Sequence, residues 1–264
     1  MQKLKPLFPR LGFWIVLIIF IGIGFQPWST SMGTTDTMTC VIATIVIIAI
    51  TIWLVNLRTH HEKLFEHRLQ FSPIQKIILF TATIFFIISY VLNGNIDALV
   101  GIYHSSWHVT LIVTTVAISA GFLEEYLTRG YLFNLCQRLL NHYHVTTYPL
   151  LIASLFNSLI FGSLHLMNYF LGGQGLTATL QQVFYATCMG LLFSAFRIAT
   201  NTIYIGAILH FLLDWQLSIT QGAAGVSDWL GIIIIFLPMA LFSLLFIMTV
   251  DQQVKKQHLY LIQQ

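Results

Sequence analysis

Glu124, Glu125 and Arg129 lie within six positions of one another inside an apolar run that extends from Val109 to Leu135. Ionisable side chains in hydrocarbon cost about 2.5 to 3.5 kcal/mol each on insertion scales, so those retained there pair, face water or do chemistry. On a helix Glu125 and Arg129 are four apart, share a face and neutralise one another. Glu124 stands about 100° round the helix from Glu125 and is the carboxylate left to face something else. Such a group suits proton transfer near neutral pH. Two further apolar runs carry Phe161 with His165 and His210 with Asp214, each pair again four apart. His210 and Asp214 therefore point the same way.

The turn after the first of these runs is centred near His144. Glu124 precedes that point by 20 residues and His165 follows it by 21. In an antiparallel helix pair the two side chains sit at one depth, each about 30 Å along its helix from the turn, and together can hold a water. The polar stretch Arg138–Thr147 then projects from the bilayer.

Two chemistries fit this inventory. One is a Zn²⁺ site with His165, His210 and Glu124 as ligands and an activated water. The other is metal-free hydrolysis, in which Glu124 and His165 activate water while His210 and Asp214 act near the oxyanion. Asp214 must be protonated to donate there; ionised, it orients His210 or binds metal. A purely structural Glu–Arg network is the alternative to any chemistry. Asn157 and Asn168 offer donors from the helix of His165, as supports of the site or as helix–helix hydrogen bonds. The three cysteines, Cys40, Cys136 and Cys188, read as small buried hydrophobes.

The helices that must position these groups are legible in the composition. Of 264 residues, 57% are hydrophobic and 8% charged, far from the roughly 25% charge of soluble domains. The fold expected is all-α: a polytopic membrane bundle of about eight transmembrane helices. They are placed at Leu11–Phe25, Met38–Leu57, Ile77–Leu92, Val109–Leu135, Pro149–Met167, Leu180–Phe196, Ile203–Leu217 and Trp229–Val250. The first, third and seventh are short for a bilayer about 30 Å thick. Residues 1–264 form one transmembrane domain.

If eight helices alternate, all 12 Lys and Arg map to one side, and the opposite loops hold Asp36, Asp97 and Asp228. The positive-inside rule puts both termini in the cytoplasm of a multi-pass cell-membrane protein. The stretch Arg58–Lys76 reads as a cytoplasmic loop on anionic lipid rather than a nucleic-acid site. The glycine-rich loops at 172–175 and 221–225 read as connectors on the other side.

Glu-Glu-x-x-x-Arg at Glu124–Arg129, Phe-x-x-x-His at Phe161–His165 and His-x-x-x-Asp at His210–Asp214 follow in order on three apolar helices. The set resembles the CAAX-processing and bacteriocin-immunity (CPBP, also called Abi) family of intramembrane proteases. Gly190, Arg197, Thr200, Asn201 and Ile205 strengthen the likeness, which covers about residues 118–215. The resemblance implies hydrolysis of a peptide bond in a membrane-associated protein or peptide, by a metallo- or glutamate-dependent course. It matches Glu124 to the general base, His165 to its partner, His210 and Asp214 to the third motif, and Glu125 and Arg129 to structural support. Removal of the last three residues of prenylated CAAX proteins, peptide maturation and bacteriocin immunity are the family's associated roles.

Two other classes compete. A non-catalytic immunity or partner-binding membrane protein would keep the fold without using the buried His and Glu. A proton-coupled transporter would use Glu124, His165, His210 and Asp214 as a relay, but the chain lacks the inverted repeats and broken helix pairs of that class.

Overall fold

In the computed structural model, residues 33–59, 63–220 and 226–256 are described. The expected first helix Leu11–Phe25, with Lys3, Lys5 and Arg10, and the glycine-rich stretch 221–225 lie outside them. The described residues are helical, without a strand. They form α1 (Thr34–Thr59), α2 (Pro73–Leu92), α3 (Asn95–Tyr103), α4 (Trp107–His142), α5 (Pro149–Leu164), α6 (Leu176–Thr200), α7 (Tyr204–Asp214) and α8 (Trp229–Lys256). Six are long and apolar enough to cross a membrane: α1, α2, α4, α5 with its continuation to Phe170, α6 and α8. The chain is a multi-pass helical membrane bundle.

The helix expected over Ile203–Leu217 is the shorter α7, only 11 residues long. Asn201, left-handed at φ 56°, ends α6 just before it, and Trp215 ends it. The connector α3 adds a short helix where Asn93, Gly94 and Asp97 have the composition of a loop. At 36 residues α4 is about 54 Å long at 1.5 Å per residue, more than the hydrocarbon thickness. Its last turns, Phe133–His142, bury Phe133, Cys136 and Gln137 along one stripe, which is why the helix outlasts its apolar run.

Side chains sort by solvent as a bilayer demands. Ile42, Ile45, Phe80, Phe156, Leu159 and Leu241 face outward. Inside, α6 packs against α5 and α8, and α8 against α2. One core cluster joins Phe133, Leu150, Ala195, Ile198, Phe246 and Val250; another joins Ala82, Phe86, Leu192, Phe193 and Met239. The segment before α2 is no plain loop. Leu64 and Phe65 enter the first cluster, and Asn201 clamps them: its Oδ1 accepts from both backbone N–H groups (2.7 and 3.0 Å) and its Nδ2 donates to the Phe65 carbonyl (2.8 Å).

The start of α5, the helix that carries His165, is capped from elsewhere. Tyr148 precedes it in the left-handed region without a side-chain cap. The buried Asp251 of α8 supplies the missing acceptors, taking the Leu150 N–H at 3.0 Å and the Leu151 N–H at 2.8 Å. A carboxylate there also complements the helix dipole. Asp251→Ala is expected to lower stability by about 1–2 kcal/mol, read as a fall in the thermal unfolding midpoint in detergent, with Asp251→Asn retaining part of the difference.

Candidate active site

The first motif lies where α4 changes its winding. Ala120–Glu124 and Tyr126–Leu132 run as π-helix, a form that is rare elsewhere and frequent at functional sites. Thr128 is the third residue of the second segment. Its carbonyl accepts the Phe133 N–H, the i→i−5 bond of π winding, and the Asn157 Nδ2 of α5 at 2.6 Å. Gly121 allows this part of α4 to meet α7 closely: a Cβ there would lie 2.7 Å from the Ala207 carbonyl oxygen and the Phe211 nitrogen.

Glu125 and Arg129 form the expected brace, with Arg129 Nη1 donating to Glu125 Oε1 at 2.8 Å. Both are buried, at 0% and 1% side-chain exposure. The guanidinium lies 4.2 Å from the Phe161 ring centroid and 5.5 Å from that of Phe193, contacts worth about 0.5–2 kcal/mol. Gly190 and Gly206 leave room for the pair. A Cβ at 190 would stand 2.5 Å from Arg129 Nη2, and one at 206 would stand 3.1 Å from Glu125 Oε2.

The brace also reaches His210 of α7, a contact that spacing along the chain does not imply. Glu125 Oε1 lies 3.1 Å from His210 Nδ1. On the other side of the ring, His210 Nε2 is 3.3 Å from Asp214 Oδ2 and 3.7 Å from Glu124 Oε2. Glu124 and Glu125, neighbours in sequence, thus reach different nitrogens of one imidazole. Phe193 stacks on that imidazole at 5.6 Å and Phe161 meets it edge-on at 5.7 Å. Glu124 and Asp214 remain accessible, at 21% and 32% exposure, against 8% for His210. Asn95 of α3 fixes the end of α7 through the Leu213 carbonyl at 2.7 Å.

His165 stands beside this group. The Phe161 ring contacts it edge-on at 5.2 Å as well. Its Nδ1 lies 3.1 Å from the Phe161 carbonyl oxygen. A carbonyl only accepts, so Nδ1 carries the hydrogen and Nε2 of the neutral ring keeps its lone pair. The direct ionic partner of Glu124 is His210 rather than His165.

Of the two expected supports, Asn157 acts on the π segment of α4. Asn168 instead ties the connector before α6 through Gln182 Oε1 at 2.9 Å, with Gln174 donating to the same oxygen at 2.9 Å. Thr128, Asn95 and Asp251 support the site through contacts that spacing along the chain does not reveal. A buried Asn in an apolar helix is a visible signal, whereas a Thr beside an Arg is not.

The donor set does not suit a metal as arranged. Among the described residues no three His, Cys, Asp or Glu side chains are grouped to hold an ion. Both nitrogens of His210 face carboxylate oxygens, and a ring that satisfies both is a donor, whereas a metal ligand must offer a lone pair. Zinc bound by His165, His210 and Glu124 would require His210 to leave one of those contacts.

Residues 105–216, which contain Glu124, Glu125, Arg129, His165, His210 and Asp214, match the family described as Type II CAAX prenyl endopeptidase Rce1-like. The matched stretch takes in all three motifs, is less than half of the chain, and bears out the resemblance to the CAAX-processing intramembrane proteases. No curated protein and no solved structure gives a match.

Proposed function

We propose that this chain is an intramembrane endopeptidase that hydrolyses a peptide bond of a membrane-associated protein or peptide, with a prenylated C-terminal CAAX-type peptide as the first substrate to try. The observation that carries the reading is His210 set between three carboxylates, one buried and two accessible, inside the matched segment. A helix brace needs the Glu125–Arg129 pair. It has no use for two more carboxylates and a second histidine beside it.

The chemistry follows from the donors and acceptors. Glu124 takes a proton from a water that His165 orients through its Nε2 lone pair. The hydroxide adds to the scissile carbonyl carbon. The oxyanion formed is met by the Nε2–H of His210, which passes from Asp214 to the oxyanion while Glu125 keeps the Nδ1–H as its acceptor. Glu124 then passes its proton to the leaving nitrogen as the C–N bond breaks. Water and the protein's own groups suffice for these steps. Chelator treatment is therefore expected to leave the rate unchanged, with elemental analysis finding no stoichiometric zinc. A rate that falls and returns with added zinc would instead make ligands of His165, His210 and Glu124.

The catalytic core is assigned to residues 118–215. The basic residues, all on one side if the helices alternate, favour a cytoplasmic position for both termini. Mass spectrometry of peptides from membranes containing the wild-type protein, and from a farnesylated CAAX peptide offered in proteoliposomes, tests the function. Absence of any protein-dependent cleavage in both would favour the non-catalytic, partner-binding alternative.

A further inference from the structure

The first motif specifies Glu124, Glu125 and Arg129 and leaves position 128 open. In this chain that position is occupied by a threonine that touches Glu124 and Arg129, and through Arg129 reaches Glu125. The Thr128 hydroxyl donates to the Glu124 carbonyl oxygen at 2.5 Å and accepts from Arg129 Nη1 at 2.7 Å. The same Nη1 donates to Glu125 Oε1 at 2.8 Å, and that oxygen lies 3.1 Å from His210 Nδ1. The Thr128 carbonyl uses both of its acceptor directions, for the Phe133 N–H of its own helix and for Asn157 Nδ2 at 2.6 Å. Thr128, Arg129 and Asn157 are each 1% exposed and Glu125 is fully buried.

We infer that Thr128, anchored by Asn157, is the positioning residue that sets where Glu124 and Glu125 stand against His210; this rests on the proteolytic reading above. Three features support the assignment. An oxygen that gives its single hydrogen to Glu124 and receives one from Arg129 has both roles of a hydroxyl filled, which a methyl cannot do. Glu125 reaches His210 from a helix whose turns are widened here, so the side chains depend on which carbonyls the π segment keeps occupied. Asn157 belongs to α5, the helix that ends at His165. One amide therefore couples the registers of the first two motifs.

The test uses Thr128→Val, which keeps the shape and removes the hydroxyl, Thr128→Ser, which restores it, and Asn157→Leu, which removes the amide. In proteoliposomes with a farnesylated CAAX peptide, Thr128→Val is expected to lower kcat about tenfold with KM changed less than about twofold, and Thr128→Ser to recover most of the loss. Asn157→Leu is expected to move kcat in the same direction. Wild-type kcat in Thr128→Val overturns the inference. So does an equal loss in the Val and Ser variants, or a loss that follows the unfolding midpoint, because each makes position 128 a matter of packing alone.

A second readout separates this inference from the proteolytic reading. Isotope-labelled histidine spectra of the full-length protein in detergent, with the His210 ring signals identified by His210→Asn, should show those signals displaced in Thr128→Val and restored in Thr128→Ser. If the wild type cleaves nothing, that displacement still upholds the positioning role, and its absence sinks it.

Discussion

Glu124→Gln is expected to abolish peptide hydrolysis, with a loss of about 10²–10⁴-fold, the usual contribution of a general base. Glutamine keeps the size of the side chain and an amide oxygen to stand where Glu124 Oε2 lies, 3.7 Å from His210 Nε2. What it lacks is the ability to take and return a proton. Because Glu124 is partly exposed and is no member of the buried brace, the variant should reach the membrane at normal levels. His165→Ala is expected to show a similar loss through a different fault, a water no longer oriented by Nε2. Product release measured by mass spectrometry, normalised to protein in the membrane, checks both. Full activity in both variants would end the catalytic reading.

The second large effect concerns stability. Arg129→Met takes the guanidinium from the buried Glu125 and leaves it only His210 Nδ1 at 3.1 Å, and breaking a buried pair from one side costs about 3–5 kcal/mol. Removing both partners in Glu125→Leu/Arg129→Met leaves no stranded charge, and apolar replacement of a buried pair is often close to neutral. The double variant is therefore expected to unfold at a higher temperature than Arg129→Met, yet to remain inactive, since His210 Nδ1 has lost its acceptor. A double variant less stable than Arg129→Met would show that the pair is not a charge-compensated brace. Recovered hydrolysis in the double variant would show that Glu125 does not hold His210.

These expectations depend on features that differ in how openly the sequence displays them. The spacing of Glu125 and Arg129, and of His210 and Asp214, is enough to bring each pair together, because helix geometry alone puts residues four apart on one face. The membrane class follows from long apolar runs. The rest depends on tertiary structure. π winding has no sequence signature, and only when α4 and α7 are seen side by side do adjacent glutamates reach opposite nitrogens of one ring. Leu64 and Phe65 lie in a charged stretch and look like loop residues until Asn201 is seen to hold their backbone in the core. α7 is shorter than the run Ile203–Leu217 because the helix stops at Trp215, before that run ends.

Asp251 draws a boundary that motif content does not. It lies outside residues 105–216, yet it caps the first turn of the helix on which His165 is carried. A version of the protein trimmed to the matched region would retain every proposed catalytic side chain and lose the fastening of one of the three helices that present them. The unit to express in a test of activity therefore extends through α8, and transplanting the motifs into another membrane bundle would also require an acceptor brought to the Leu150 and Leu151 amides.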